Sequence, residues 1–260
     1  MPNELTSQNK EAEMQFWSEA VDSEEAGLIW LSKYFENARW EGLLLDAGCG
    51  RGGAYSFLKA FDKAEIIGVD ISIEMLRIAK SRTQQQYILC DLENLPFRGE
   101  CFKVVLCMET LHHFPEFRAT VKELARTLDM DGQFVLLDHN VTNLSKVSNT
   151  IGAFISRYYG NQVRTPNEVC HDVDDFISVF SYNQLKRPVV SFVDNTFTLN
   201  EEIKYFLRNS KSTLSFLFLA RAVLRRLFLA VSLRNCSNVI ITVKKLESTL
   251  QHVGKVEVSA

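Results

Sequence analysis

Three glycines and a carboxylate stand where their types and spacing are suited to chemistry. Gly48, Gly50 and Gly53 match the spacing G-x-G-x-x-G within the stretch LLLDAGCGRGGAY. Asp70 follows Gly50 at about the spacing at which an acidic residue binds a ribose hydroxyl. The pattern indicates a nucleotide-like ligand that approaches the backbone closely. Its alternative is a tight strand-to-helix turn whose glycines supply positive φ and bind nothing.

A row of carboxylates sharpens this interpretation, because each follows an apolar run at or just past its end. In a parallel sheet the carboxyl ends of the strands meet at one edge, so these acids are expected to lie together. They would repel a pyrophosphate and attract a cofactor that carries a sulfonium and an α-ammonium group. The row therefore favours S-adenosylmethionine over NAD. Its members are Asp46, Asp70, Asp91, Glu109 and Asp138.

Two adjacent histidines, His112 and His113, follow the fourth apolar run. An imidazole accepts a proton near neutral pH, so either ring is a candidate base that deprotonates a methyl acceptor. Asp138, at the end of the next run, would hold the other ring nitrogen. His113 is the first candidate, since its place beside Phe114 suits the start of the turn. The alternative is that one histidine only locks its loop to the sheet.

Metal and thiol chemistry are not expected. The six cysteines are scattered without a C-x-x-C pair, which argues against disulfides and a thiolate zinc site. Cys49 is predicted to pack rather than to act as a nucleophile, because no basic residue adjoins it. A zinc site built from histidines would lack any supporting carboxylate or thiol spacing. Its ligands would be His112, His113, His139 and His171.

Short apolar runs alternate with helix-period segments from residue 43 to 138. This alternation predicts βαβ units and a parallel sheet. Ser72 is the predicted N-cap of a helix over 73–82, and a second helix is predicted over 118–128. Asp131-Gly132 is predicted to turn into the fifth strand. Other helices are predicted within 16–38, near 148–158 and near 172–181.

Four segments, in order and each at a predicted strand end, resemble the class I S-adenosylmethionine-dependent methyltransferases. The resemblance is strongest to the small-molecule and quinone-type branch of that family. It covers residues 40 to 140 well and the flanks hardly at all, and it implies methyl transfer from S-adenosyl-L-methionine. The segments are LLDAGCGRG, GVDISIEMLRIAK, CDLENLPF and VVLCMETLHHF.

The resemblance also implies roles for single residues in cofactor binding. Gly48 and Gly50 would let the backbone approach the methionine part, and Asp46 would orient that loop. Asp70 would bind both ribose hydroxyls. These roles place the glycine loop and the first two carboxylates on the same ligand.

The adenine end of the cofactor is assigned by the same resemblance. Ile71 and Met75 would sandwich the adenine, Asp91 would accept its amino group, and the Leu92 amide would meet the ring edge. The backbone near Cys107 would lie against the cofactor. Each assignment has a structural alternative: Ile71 and Met75 as plain core, and Asp91 as the cap of a turn.

The predicted fold class is α/β, with a doubly wound, seven-stranded, mostly parallel sheet of the Rossmann-like methyltransferase type. The resemblance implies a closing antiparallel hairpin, with strands at Val189–Val193 and Asn238–Val243. A helical N-terminal lid and a C-terminal insertion would complete it. The expected division is 1–38 for the lid, 39–140 for the cofactor-binding core, 141–247 for the acceptor-side insertion and last strands, and 248–260 for a tail.

Composition limits the choice of partners. The chain has 29 Lys and Arg against 32 Asp and Glu, a formal charge of −3, so nucleic acid is not an expected partner. The first residues lack a basic-then-apolar signal pattern, which favours a cytoplasmic location. The expected acceptor is a small lipophilic or aromatic molecule, with oxygen as the first choice of accepting atom and carbon or nitrogen next.

One segment departs from this balance. Nine Lys and Arg and no acidic residue lie between Lys204 and Lys245. Arginines near the middle of the apolar part, 212–233, disfavour a bilayer-spanning helix. An amphipathic helix that packs on the sheet is the first interpretation, and peripheral contact with a membrane surface is the second. Binding of an acidic partner is the third.

Two function classes compete with methyl transfer. An NAD-dependent oxidoreductase satisfies the glycine spacing but not the row of acids. A non-catalytic protein of the same fold would bind the cofactor without turnover. A nucleic-acid methyltransferase is a weaker alternative, because C-M-E-T stands where an N-P-P-Y-type motif would position an amine.

Overall fold

The computed structural model describes Phe35 and residues 37–52, 63–140, 171–183, 185–193 and 238–245. Several predicted segments lie outside these residues. They are the N-terminal helices, Gly53 and the helix after it, the helix near 148–158, the basic segment 212–233 and the tail.

Seven strands form one sheet in the order β3-β2-β1-β4-β5-β7-β6. Strands β1 to β5 pair in parallel, and β7 runs antiparallel to both β5 and β6. This confirms the predicted fold class, including the antiparallel hairpin at the end. The strands are β1 Glu41–Ala47, β2 Lys63–Asp70, β3 Gln86–Leu89, β4 Phe102–Met108, β5 Leu128–His139, β6 Val189–Val193 and β7 Asn238–Lys244.

The strand order reverses at β1, which pairs with β2 on one side and β4 on the other. Such a reversal opens a crevice at the carboxyl ends of the strands, where α/β proteins bind their ligands. β1 is apolar on both faces because it is covered on both. Leu44 and Leu45 are 1% and 0% exposed and belong to separate hydrophobic clusters on opposite faces of the sheet.

Three α-helices of ten residues each occur in the described parts of the chain: α1 Ile73–Arg82, α2 Arg118–Thr127 and α3 Val173–Tyr182. Ser72 caps α1 as predicted, and Asp172 begins α3 with a capping box. The apolar positions of α2 are buried against the sheet. None of the described helices is long and apolar enough to span a membrane.

The start of β5 differs from the expected helix-turn-strand. Leu128 already pairs with Phe102, and a register irregularity separates this pair from Val104 and Gln133. Asp131 takes the left-handed conformation at φ +64°, as a turn residue would. The turn chemistry therefore produces a bulge within one long strand, because β4 supplies hydrogen-bonding partners on both sides of it.

The N-cap of α1 gives a direct test of how this helix is held beside the glycine loop. The Ser72 hydroxyl is buried and accepts from the Met75 amide at 3.3 Å. We expect Ser72→Ala to lower the free energy of unfolding by about 1 kcal/mol. Ser81→Ala, an exposed serine in the same helix, is the control and should change it by less than about 0.5 kcal/mol in urea titrations. Equal effects of the two changes would contradict the capping role.

Candidate active site at the carboxyl edge of the sheet

The glycine loop leaves β1 and folds back on β2. The amides of Gly48 and Cys49 both donate to the Val69 carbonyl, at 2.9 and 3.0 Å. Gly48 and Gly50 have φ values of +75° and +50°, a region that L side chains rarely adopt. The loop is thus a tight turn pinned to the neighbouring strand.

The glycines of this loop are needed for different reasons. A Cβ on Gly48 would overlap the side chain of Thr110, and one on Gly52 would lie 2.7 Å from the Tyr87 hydroxyl. A Cβ on Gly50 would meet no atom of the described residues within 4 Å. Packing therefore requires Gly48 and Gly52, whereas nothing in the described part of the chain fills the space beside Gly50, where a ligand can approach the backbone.

Asp70 ends β2 and holds the loop from the other side. Its carboxylate accepts from the Gly50 amide and the Ser72 amide, each at 2.9 Å. Burial raises the pKa of this carboxyl, and the amide hydrogen bonds oppose the rise. Asp70 and Gly50 are therefore brought together as the spacing predicted, at the crevice beside β1.

Asp46 is 2% exposed and lies in β1, between Gly68 and Leu106 of the flanking strands. It adjoins Cys49, whose thiol pKa is raised well above its usual value by burial and then by the charges of Asp46 and Asp70. A protonated thiol is a poor nucleophile, which supports the packing role predicted for Cys49.

The residues assigned to the adenine lie next to Asp70. Met75 is buried on α1, and Ile71 is half-buried. Asp91 accepts from the Glu93 amide at 3.0 Å, so it does cap the turn that follows it. Leu92 is buried as well. This arrangement is compatible with both the structural and the cofactor-binding roles, and the latter stay predictions.

On the other side of the loop, Cys107 is fully buried in β4, between Ala47 and Leu136. Thr110 follows β4 and packs on Gly48, with its hydroxyl 2.8 Å from the Met108 carbonyl. The end of β4 is thereby pressed against the glycine loop. Cys107 is placed in the strand that the resemblance puts beside the cofactor.

His112 and Asp138 form a buried pair where β4 and β5 end. The His112 ring donates through Nδ1 to Asp138 Oδ1 at 2.7 Å, and the His112 amide donates to Oδ2 at 3.2 Å. Burial lowers the pKa of His112, but the charge and hydrogen bond of Asp138 outweigh it and leave that pKa raised. For Asp138 the directions are reversed. Burial raises the pKa of its carboxyl, but the charge and hydrogen bond of His112 outweigh burial and leave that pKa lowered.

The ring that bonds Asp138 is that of His112, the second candidate by sequence. The His113 ring lies against that of His112, tilted by 45° with ring centroids 4.1 Å apart, and the His113 amide donates to the Thr110 carbonyl. The two histidines share a 3-10 turn, Leu111–His113, in which His112 is buried and His113 is only half-buried. Sequence order alone does not reveal which of two adjacent side chains turns toward the sheet.

A second histidine–carboxylate pair, His139 with Glu109, lies beside the first and was not assigned from the sequence. His139 Nε2 lies 3.0 Å from Glu109 Oε2, and the His139 ring is 4.7 Å from that of His112. Glu109 holds a left-handed φ of +50° while its amide bonds the Leu137 carbonyl. The signal was present: Glu109 directly follows β4 with His112 three residues later, and Asp138 and His139 are the last two residues of β5.

Comparison with known proteins identifies the family. The family model described as "Methyltransferase domain" matches residues 45–136. The uncharacterized methyltransferase YcgJ of Bacillus subtilis is 32% identical over an alignment of 192 residues, which covers 71% of this chain and 72% of that protein. The chain belongs to the class I S-adenosylmethionine-dependent methyltransferases. The NAD-dependent oxidoreductase alternative is therefore wrong, and the cofactor is S-adenosyl-L-methionine.

Other similarities are narrower. The phthiotriol/phenolphthiotriol dimycocerosates methyltransferase of Mycobacterium tuberculosis is 34% identical over 104 residues, 38% of each chain. The solved structure of YcgJ gives a TM-score of 0.54 at 23% identity, over 86% of this chain and 100% of that one. Geranyl diphosphate C-methyltransferase from Streptomyces coelicolor gives 0.60 at 16%, over 92% and 98%. These two structures show the shared fold.

The glycine loop offers a test that separates cofactor binding from packing. Gly50→Ala adds a methyl group that meets no described atom within 4 Å, at the place where we expect the cofactor, so S-adenosylhomocysteine should bind at least tenfold more weakly. Stability should fall only by the cost of the left-handed backbone, about 1–2 kcal/mol. Gly48→Ala adds a clash with Thr110 and should destabilise by about 1–3 kcal/mol more. Calorimetric titration and urea unfolding measure the two effects, and wild-type affinity in Gly50→Ala would contradict the assignment.

Proposed function

We propose that this methyltransferase transfers a methyl group to a small lipophilic or aromatic acceptor, with oxygen as the first choice of accepting atom and carbon or nitrogen next. The observation that carries the proposal is the His112–Asp138 pair at the carboxyl edge. It stands two residues from Thr110, which packs on the cofactor loop. A proton acceptor is thus held beside the place where the methyl donor binds.

The cofactor, when bound, supplies an activated methyl group, so the chain's task is alignment and deprotonation. The His112 ring presents Nε2 as the nitrogen left to accept a proton, since Nδ1 is engaged by Asp138. Asp138 fixes the tautomer and stabilises the positive ring that forms. Its buried carboxylate serves this role well because its pKa lies below the usual value.

The proposed cofactor contacts use residues that lie around the glycine loop. Asp70 and the Gly50 backbone hold the ribose and methionine portions, and Asp46 keeps the loop in place. Met75 and Ile71 flank the adenine, with Asp91 and the Leu92 amide at its edge. Residues 1–38 and 141–247, mostly outside the described part of the chain, supply the lid and the acceptor pocket.

The similar proteins support the acceptor class. One is named for phthiotriol and phenolphthiotriol dimycocerosates, and another is named for geranyl diphosphate. From those names we carry only the class of a lipophilic small molecule to this chain. A separate and weaker proposal is that residues 212–233 contact a membrane surface peripherally. Recovery of all the protein in the soluble fraction of a liposome flotation would exclude it.

The base role competes with a purely structural one. His112 is only 6% exposed, and its backbone amide also bonds Asp138. The pair therefore clamps the turn to β5 whether or not it moves protons. A useful variant must keep the clamp and remove the base.

His112→Asn meets that requirement, because the asparagine amide can donate to Asp138 but accepts no proton at a ring nitrogen. We expect both His112→Asn and His112→Ala to lower turnover by about 10²- to 10⁴-fold with cofactor binding intact. His113→Ala should cost less than tenfold. The acceptor is first identified by incubating cell extracts with radiolabelled S-adenosylmethionine and isolating the labelled product. If His112→Asn were clearly more active than His112→Ala, the base role of His112 would be contradicted and only its structural role in holding the turn to β5 would remain.

A further inference from the structure

Three side chains from two neighbouring strand ends lie close together where β4 and β5 end. One ligand atom each from Glu109, His112 and His139 lies within 4.8 Å of the other two. We propose that these three residues bind a divalent transition-metal ion. The sequence predicted no metal site because its histidines alone lacked a supporting carboxylate, and the fold adds that carboxylate.

The spacing of the outer two donors suits a metal. His139 Nε2 and Glu109 Oε2 are 3.0 Å apart. Two ligands at right angles, each about 2.1 Å from an ion, stand about 3.0 Å from one another. The three ligand atoms lie within 4.8 Å of one another, against about 4.2 Å between opposite ligands of one ion, so a small inward adjustment of a side chain is enough to bring all three onto it.

The freedom for that adjustment lies in the outer pair. The Glu109 and His139 side chains are 24% and 36% exposed, whereas the His112 side chain is 7% exposed. The inner ligand is thus fixed by packing, and the outer two can close on an ion that arrives from the solvent side. The same exposure gives the ion a path into the site.

Asp138 completes the arrangement as an outer partner. It engages Nδ1 of His112 and leaves Nε2 as the ligating nitrogen, the carboxylate–histidine arrangement that commonly orients metal ligands. The two carboxylates, Glu109 and Asp138, would balance the two positive charges of the ion. Two imidazoles and one carboxylate suit zinc, iron, cobalt or manganese better than magnesium or calcium, and three protein ligands leave coordination positions open.

Metal binding and the proposed base use the same lone pair on His112, so they exclude each other in one complex. Turnover of the His112 variants is therefore measured with a chelator present. Metal binding is measured without acceptor or cofactor. A protein that binds no metal would leave the methyl-transfer proposal intact, and a protein that lacks a histidine base could still bind the ion.

The experiment titrates the chelator-treated full chain with Co²⁺ and follows calorimetric heat and the visible d–d absorption. Wild type is expected to bind one equivalent with histidine-type ligation. Glu109→Gln and His139→Ala should each weaken binding at least about tenfold, the lower end of what losing even an outer-shell partner costs. Both residues are partly exposed, so both variants are expected to fold.

Matched controls separate this cluster from other donors. Glu116→Gln removes an exposed carboxylate from the same loop, and His113→Ala removes the ring that lies against His112. Both should keep wild-type Co²⁺ affinity. The proposal is overturned if wild type shows no saturable binding up to millimolar Co²⁺. Wild-type affinity in either Glu109→Gln or His139→Ala overturns it as well.

Discussion

A single buried carboxylate organises the carboxyl edge of the sheet. Asp138 is fully buried, and such a group is costly unless donors surround it. It accepts from the ring and amide of His112 and from the amide of His139. These bonds tie the turn after β4 to the end of β5. The position of both histidine–carboxylate pairs, and with it the chemistry proposed for this edge, depends on that one side chain.

At the same edge, the glycines of one motif serve different purposes: some are required by packing and one is not. Thr110 fills the space over Gly48, and Tyr87 fills that over Gly52, so these glycines satisfy the protein's own interior. Gly50 is the one of these glycines that no described side chain covers, and Asp70 holds its amide. A spacing pattern treats all of them alike. The tertiary contacts distinguish the two glycines that packing requires from the one that it does not.

Much of the fold was predictable because local physics and global topology agree in it. Doubly covered strands are apolar runs such as Leu43–Leu45, and Ser72 caps α1 without help from distant residues. The antiparallel hairpin was predicted at the observed strands through the family resemblance. The exception is Asp131-Gly132, whose turn conformation was predictable but whose inclusion in β5 was not, since that depends on pairing with β4.

The sequence by itself determined the order of the described strands and helices, because apolar periodicity is a local signal. It indicated the family through the resemblance of four strand-end segments, and the strand-end carboxylates favoured a positively charged cofactor. Only the tertiary structure decided which histidine meets Asp138 and that His139 meets Glu109. Those contacts join residues far apart in the chain across adjacent strand ends. Side-chain direction there follows from the turn after β4 and the register of β4 on β5, which no spacing along the chain specifies.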